Sequence, residues 1–152
     1  MPRNDVQLTL LSGYTFDVRM GEAHIMVDLQ PPEGHGRGAT PLKLLLASLA
    51  GCAAMDVVSI LRKGRQPLEG LMVSVVGDRV QEHPRRYTRL VATFEAWGEG
   101  LDAAAVERAV ALSHEKYCSV AGTLRAGAIV ESVVRVSVAA PEPPAIDPAT
   151  LP

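Results

Sequence analysis

Aromatic side chains are scarce in this sequence. Phe, Trp and Tyr make up 4% of its 152 residues, too few to build a stacking platform for single-stranded nucleic acid. Charge excess is also nearly absent. Seventeen acidic against fifteen basic residues leave a formal net charge of −2, which gives no electrostatic footprint for a polyanion. Cysteine occurs only as Cys52 and Cys118, so the disulfide framework of a small secreted domain is excluded. The opening MPRNDVQLTL lacks the apolar run and small-residue cleavage site of a signal peptide. The most apolar stretch, Leu44 to Leu61, is interrupted by Asp56 and preceded by Lys43, whereas a membrane span asks for about 20 predominantly apolar residues. CxxC, HExxH, HxH, GK[ST] and GxSxG are all missing, which argues against a zinc site, a phosphate-binding loop and a serine-nucleophile elbow. The expectation is a cytoplasmic protein in a reducing compartment, with no metal or other cofactor and no nucleic-acid or membrane partner.

What is present is enough apolar material for a packed core, since 47% of the residues are hydrophobic and a chain of this length buries roughly two-thirds of its unfolded surface. Apolar residues alternate in VQLTL (Val6, Leu8, Leu10), again at Tyr14, Phe16 and Val18, and HIMVDL follows a turn at Gly21. This period of two predicts a three-strand antiparallel meander. PPEGHGRGAT then reads as a loop. Thr40-Pro41 is a helix start, with Thr40 as N-cap and Pro41 in the first turn. The helix is expected to reach Arg62-Lys63 and to stop at Gly64. Strands are expected over Leu71–Val80, Thr88–Trp97 and Ile129–Val138. A helix starts with Asp102 as N-cap and Leu101 stapled onto Val106, and a short helix covers Ser119–Arg125. The order βββ-α-ββ-αα-β predicts an α+β fold, an antiparallel-rich sheet packed on a long central helix. One domain is expected over residues 1–138, followed by a proline-rich tail over 139–152.

The long helix is apolar or small nearly all the way round, so it must be covered on every side, and a partner subunit is expected to supply part of that cover. Its polar exceptions, Ser48, Cys52, Asp56 and Ser59, fall within an arc of roughly 80°. Polar groups in such a place need partners. Cys52 reads either as a small core hydrophobe or as a thiol facing a cavity, and Asp56 as an internal acceptor. Cys118 lies at a junction between helices, where a helix N-terminus lowers a thiol pKa. If helix continues through it, His114 lies one turn before it on the same face. His114 and Cys118 are the one pair spaced to share a metal, and two ligands do not make a zinc site.

Pro41 with Leu44-Leu45-Leu46-Ala47, then Gly51-Cys52-Ala53-Ala54-Met55-Asp56-Val57-Val58, then Glu115-Lys116-Tyr117-Cys118-Ser119-Val120 together resemble the OsmC/Ohr superfamily, and within it the YhfA-like branch. The resemblance covers residues 6 to 138. It implies a two-layer fold that forms an intertwined homodimer, with central helices held between sheets of both subunits. It also implies a thiol-dependent peroxidase that reduces organic hydroperoxides in oxidative stress defence. In that scheme Cys52 attacks the peroxide and becomes a sulfenic acid, Cys118 condenses with it to a disulfide, and an external dithiol resets the pair. Typical members carry a Glu after the helix-start proline, which orients an activating Arg; here that place is Leu42, followed by Lys43. Arg37, His114 and Arg19 are the candidates for activating the thiol, and Ser48 and Asp56 for a polar stripe along the pocket. The alternative reading is a non-catalytic dimeric binding module that holds a small hydrophobic molecule.

Overall fold

The computed structural model describes residues 5–142, which fall into two compact units divided between Leu45 and Leu46. The expected tail lies outside the described residues from position 143 onward.

The first unit holds the expected meander: β1 (Gln7–Ser12), β2 (Thr15–Met20) and β3 (Ala23–Val27), antiparallel and in the order β1-β2-β3. Leu8 stands opposite Val18 and Leu10 opposite Phe16, while Val18 and Phe16 face Ile25 and Val27 on the other side. The alternation read from sequence is therefore a true cross-strand register. Its anchor is Asp28, a residue that periodicity does not single out. The Asp28 carboxylate is 1% exposed and accepts hydrogen bonds from the Thr15 hydroxyl at 2.9 Å and from the Leu29 and Arg37 backbone N–H groups at 2.7 and 3.2 Å. Burial opposes its ionisation, but these donors outweigh that and hold its pKa below the ordinary carboxylate value. The loop is drawn in so closely that a Cβ on Gly34 would strike the Leu29 carbonyl. Leu8, Leu10 and Leu11 on β1 remain more than half exposed.

The long helix α1 spans Pro41–Lys63. Its first intrahelical bond, Leu44 N–H to the Thr40 carbonyl at 3.0 Å, marks the expected start. The end differs from expectation. Gly64 still bonds back to Ile60, and it is Arg65 that takes the left-handed conformation, with φ +55°. Arg65 N–H bonds the Arg62 carbonyl and Gln66 N–H the Leu61 carbonyl, both at 3.0 Å, which is the Schellman pattern one residue later than the glycine signal suggested. Because a side chain in this conformation costs about 1 kcal/mol relative to glycine, Arg65→Gly is expected to raise the melting temperature by a few degrees. An unchanged or lower value in a thermal melt would contradict this account of the helix end.

From Leu46 onward α1 belongs to the second unit, with β4 (Gly70–Arg79), β5 (Tyr87–Trp97), α2 (Ala103–Leu112), a π-helical turn (Ser113–Tyr117), α3 (Ser119–Leu124) and β6 (Ile129–Ser137). The sheet order is β4-β5-β6, antiparallel between β4 and β5 and parallel between β5 and β6. The parallel pairing is what the α2–α3 segment makes possible, since parallel neighbours need a long crossover connection. Leu90, Ala92, Phe94 and Ala96, the apolar members of a period-two alternation in the sequence, form a buried row on one face of β5. Onto it pack Leu49, Ala53, Val57 and Leu61 of α1, Val106, Ala109 and Val110 of α2, and Ala121 of α3. Asp102 caps α2 as expected, its carboxylate accepting the Ala104 N–H at 2.9 Å. The fold class is α+β, with the antiparallel-rich character read from sequence.

Candidate active site

Spacing along α1 decides which of its side chains reach the site. Leu49, Ala53, Val57 and Leu61 recur every four residues and point into the core. Cys52 and Asp56 sit one position before Ala53 and Val57, on the flank of that stripe, and both are half-buried. Across from them the chain leaves α2 through the π-helical turn, where Cys118 N–H bonds the Ser113 carbonyl at 2.9 Å, five residues back. Single π turns are recurrent at functional sites. Cys118 then adopts an extended backbone, φ −67° and ψ 99°, and caps α3, its sulfur accepting the Ala121 N–H at 3.4 Å.

The outcome is a cluster. The Sγ atoms of Cys52 and Cys118 and a carboxylate oxygen of Asp56 all lie within 4.8 Å of one another. Both thiols are free. Asp56 is fixed by Ser113, whose fully buried hydroxyl donates to it at 3.0 Å. Ser113 follows Val106, Ala109 and Val110 at helical spacing, and a hydroxyl on that apolar stripe is the sequence signal that something polar faces it.

Cys118 behaves against expectation. A helix N-terminus was expected to lower its pKa, yet the thiol is raised from 9.0 to about 11. Burial is the largest cause, since only 4% of the residue is exposed. The Ala121 N–H opposes it, and a hydrogen bond shared with Cys52 and the charge of Asp56 add to the rise. A six-residue helix supplies too little field to reverse that balance. Since the thiolate is the reactive form and predominates only above the pKa, Cys118 is expected to be alkylated slowly at neutral pH and to become readily labelled only as the pH climbs toward about 11. Peptide mapping after iodoacetamide treatment of the reduced protein checks this; rapid labelling of Cys118 at pH 7 would refute it.

His114 does not stand one α-helical turn before Cys118, because the π turn shifts the register. Its ring nitrogen Nδ1 is 3.2 Å from the Ser132 hydroxyl of β6, and burial followed by the nearby Arg125 charge lowers its pKa. His114, Ser113, Cys118 and Ser132 line a void of about 10 Å³ against Phe94 and Val130. Ser48 is exposed on α1. A larger cavity of about 340 Å³ opens beside Asp56, lined by Ser59, Ile60, Lys63, Leu112 and Tyr117. Arg19 and Arg37 belong to the first unit. There the Arg19 guanidinium pairs with Asp17 at 3.2 Å, and the Arg37 backbone serves Asp28.

The profile of the family described as OsmC-like protein matches residues 34–133, a stretch containing both cysteines and Asp56. The chain belongs to that family. Among curated proteins this OsmC-like chain is 46% identical over 85 residues to Protein YhfA of Escherichia coli K12, a match that covers 56% of the chain and 63% of YhfA, so less than two-thirds of that relative's length is spanned. A hypothetical protein from Aquifex aeolicus VF5 superposes with a TM-score of 0.82 at 31% identity, covering 92% of this chain and all of the other. The organic hydroperoxide resistance protein OhrB of Bacillus subtilis shares the fold, with a TM-score of 0.62 at 13% identity over 88% of this chain and 98% of its own.

Proposed function

We propose that this OsmC-like protein is a thiol-dependent peroxidase for organic hydroperoxides, in which Cys52 is the attacking and Cys118 the resolving thiol. One observation carries the reading: two reduced cysteines 66 positions apart (118 − 52) bring their sulfurs within 4.8 Å. In the first step the Cys52 thiolate attacks the peroxide; the O–O bond breaks, the alcohol leaves with a proton, and Cys52 becomes a sulfenic acid. In the second, Cys118 sulfur attacks the Cys52 sulfur, an S–S bond forms and water departs. An external dithiol then returns both to thiols. Bridging requires the sulfurs to close to about 2.05 Å, a side-chain movement within one cluster. Cys52, half-buried where Cys118 is buried, is the more accessible of the two to a substrate.

The test is a thiol count. Excess cumene hydroperoxide should remove both free thiols from the reduced protein, and dithiothreitol should restore both. Two thiols surviving excess peroxide would end the enzyme reading. The binding-module reading is favoured by Leu42 standing where typical members carry Glu, and by the cavity beside Asp56. It gains if the thiols survive while a small apolar ligand raises the melting temperature.

The same proposal includes a homodimer built on α1. Met55 is 75% exposed, and a groove of about 530 Å³ runs along Ala54, Met55, Val58 and Ser59 to Arg62 and Lys63. Gly51 lies one turn before Met55, and a Cβ there would meet nothing within 4 Å. In a lone chain Gly51→Ala would raise helix stability by about 1 kcal/mol. Packed against a second helix, the added methyl would collide. The expected result is that wild type elutes as a dimer, whereas Gly51→Leu and Met55→Glu shift it toward monomer. Unchanged dimer masses by light scattering would place the interface elsewhere.

A further inference from the structure

We propose that reduced Cys52, Asp56 and Cys118 form a binding site for one thiophilic divalent cation of the zinc and cadmium class, counter to what the missing zinc motifs led us to expect. The argument is geometric. Three donors of the right chemistry, two sulfurs and a carboxylate oxygen, already lie within 4.8 Å of one another. Around a tetrahedral zinc, bonds of about 2.3 Å to sulfur and 2.1 Å to oxygen put neighbouring ligand atoms about 3.5–3.8 Å apart, so the donors need to close by no more than about 1 Å. Sequence motifs could not reveal this set, because two donors come from successive turns of α1 and the third from the cap of α3, beyond the π-helical turn.

The surroundings suit a ligand set. A coordinating carboxylate is ordinarily held by an outer hydrogen bond, and Ser113 supplies one to Asp56 from a fully buried position. The Ala121 N–H, already on the Cys118 sulfur, favours a thiolate there. Cys52 and Asp56 are only half-buried, which leaves a solvent side for a fourth ligand. Three protein donors with one open position is the pattern of an exchangeable or catalytic zinc site, as opposed to a closed structural one. Binding balances as cation plus two thiols giving a dithiolate complex and two protons. Oxidation reverses it: the dithiolate complex, a hydroperoxide and two protons yield the disulfide, the free cation, an alcohol and water. The site thus exists only in the reduced protein, and a bound cation takes up one lone pair of each sulfur and so slows peroxide attack.

Cadmium titration of the full-length reduced protein tests this through the ultraviolet sulfur-to-cadmium charge-transfer band. The expected result is saturation at one cadmium per chain, with two protons released per cation in weakly buffered solution. Zinc, followed by competition with a chromophoric chelator, should displace it. Cys52→Ser and Cys118→Ser should each weaken binding by at least about 100-fold, and Ser113→Ala by about 10-fold; circular dichroism establishes that the variants are folded. Protein bridged with diamide, which needs no substitution and no peroxide turnover, should show no band. Absence of a stoichiometric band in reduced wild type would overturn the proposal. Equal affinity in Asp56→Asn would overturn the three-donor site. A protein that binds cadmium but ignores peroxide would refute the peroxidase reading alone.

Discussion

Cys52→Ser is expected to abolish hydroperoxide consumption, with a loss of at least about 1000-fold, because the thiol that remains, Cys118, is buried and its pKa is raised to about 11, which leaves it too little thiolate to replace the attacking sulfur. Cys118→Ser should behave differently. It removes the partner that closes the bridge and leaves the attacking sulfur on α1 in place, so one equivalent of peroxide should still be consumed in a rapid first turnover. Cys52 sulfenic acid should then persist, trappable by dimedone and visible as an adduct by intact mass. Steady-state turnover would depend on the external dithiol reducing the sulfenic acid directly. The contrast separates the roles of two residues that share one cluster. A Cys52→Ser protein that consumes peroxide at the wild-type rate would sink the assignment. A Cys118→Ser protein that accumulates no adduct while cycling normally would remove Cys118 from the mechanism.

Phe94→Ala should be the most damaging single change to stability. Phe94 is 1% exposed at the centre of β5, with Val73 opposite it on β4 and Val134 on β6. Truncating a buried Phe costs about 3–5 kcal/mol from lost transfer energy and the cavity left behind. At about 2–4 °C per kcal/mol for a chain of this size, the melting temperature should fall by roughly 10 °C. Phe94 also borders the small void that Cys118 and His114 line, so collapse into the new space should slow disulfide closure even where the variant remains folded. A drop under about 2 °C would mean that the β5 face is not the centre of the core.

Much of this architecture was legible because it rests on periodicity. The alternation at Leu90, Ala92, Phe94 and Ala96 located the buried face of β5, and Asp102 and Thr40-Pro41 located two helix starts, since each is a local signal with a local cause. What escaped reading depends on groups brought together from afar. Asp28 gathers donors from Thr15 and Arg37, and no pattern in the neighbouring strand β3 announces that. The left-handed residue after α1 fell on Arg65 because hydrogen bonding kept Gly64 in the helix. At the site, the resemblance pointed to Cys52 and Cys118, while Asp56 was visible only as a polar exception on α1 and Ser113 only as an odd member of an apolar stripe. The raised pKa of Cys118 turned on how deeply a capping residue is buried, and position at a helix start does not reveal depth.

The parallel pairing of β5 with β6 has a bearing on biogenesis. Residues 1–97 contain a single sulfhydryl, Cys52; its counterpart, Cys118, rides on the connection that carries the chain from β5 to the parallel strand β6. Proximity of the two sulfurs is therefore a late, long-range event in chain collapse. A chain that stops short of that connection lacks the second sulfur altogether, so in the proposed mechanism the Cys52–Cys118 bridge can close only after the connection is in place.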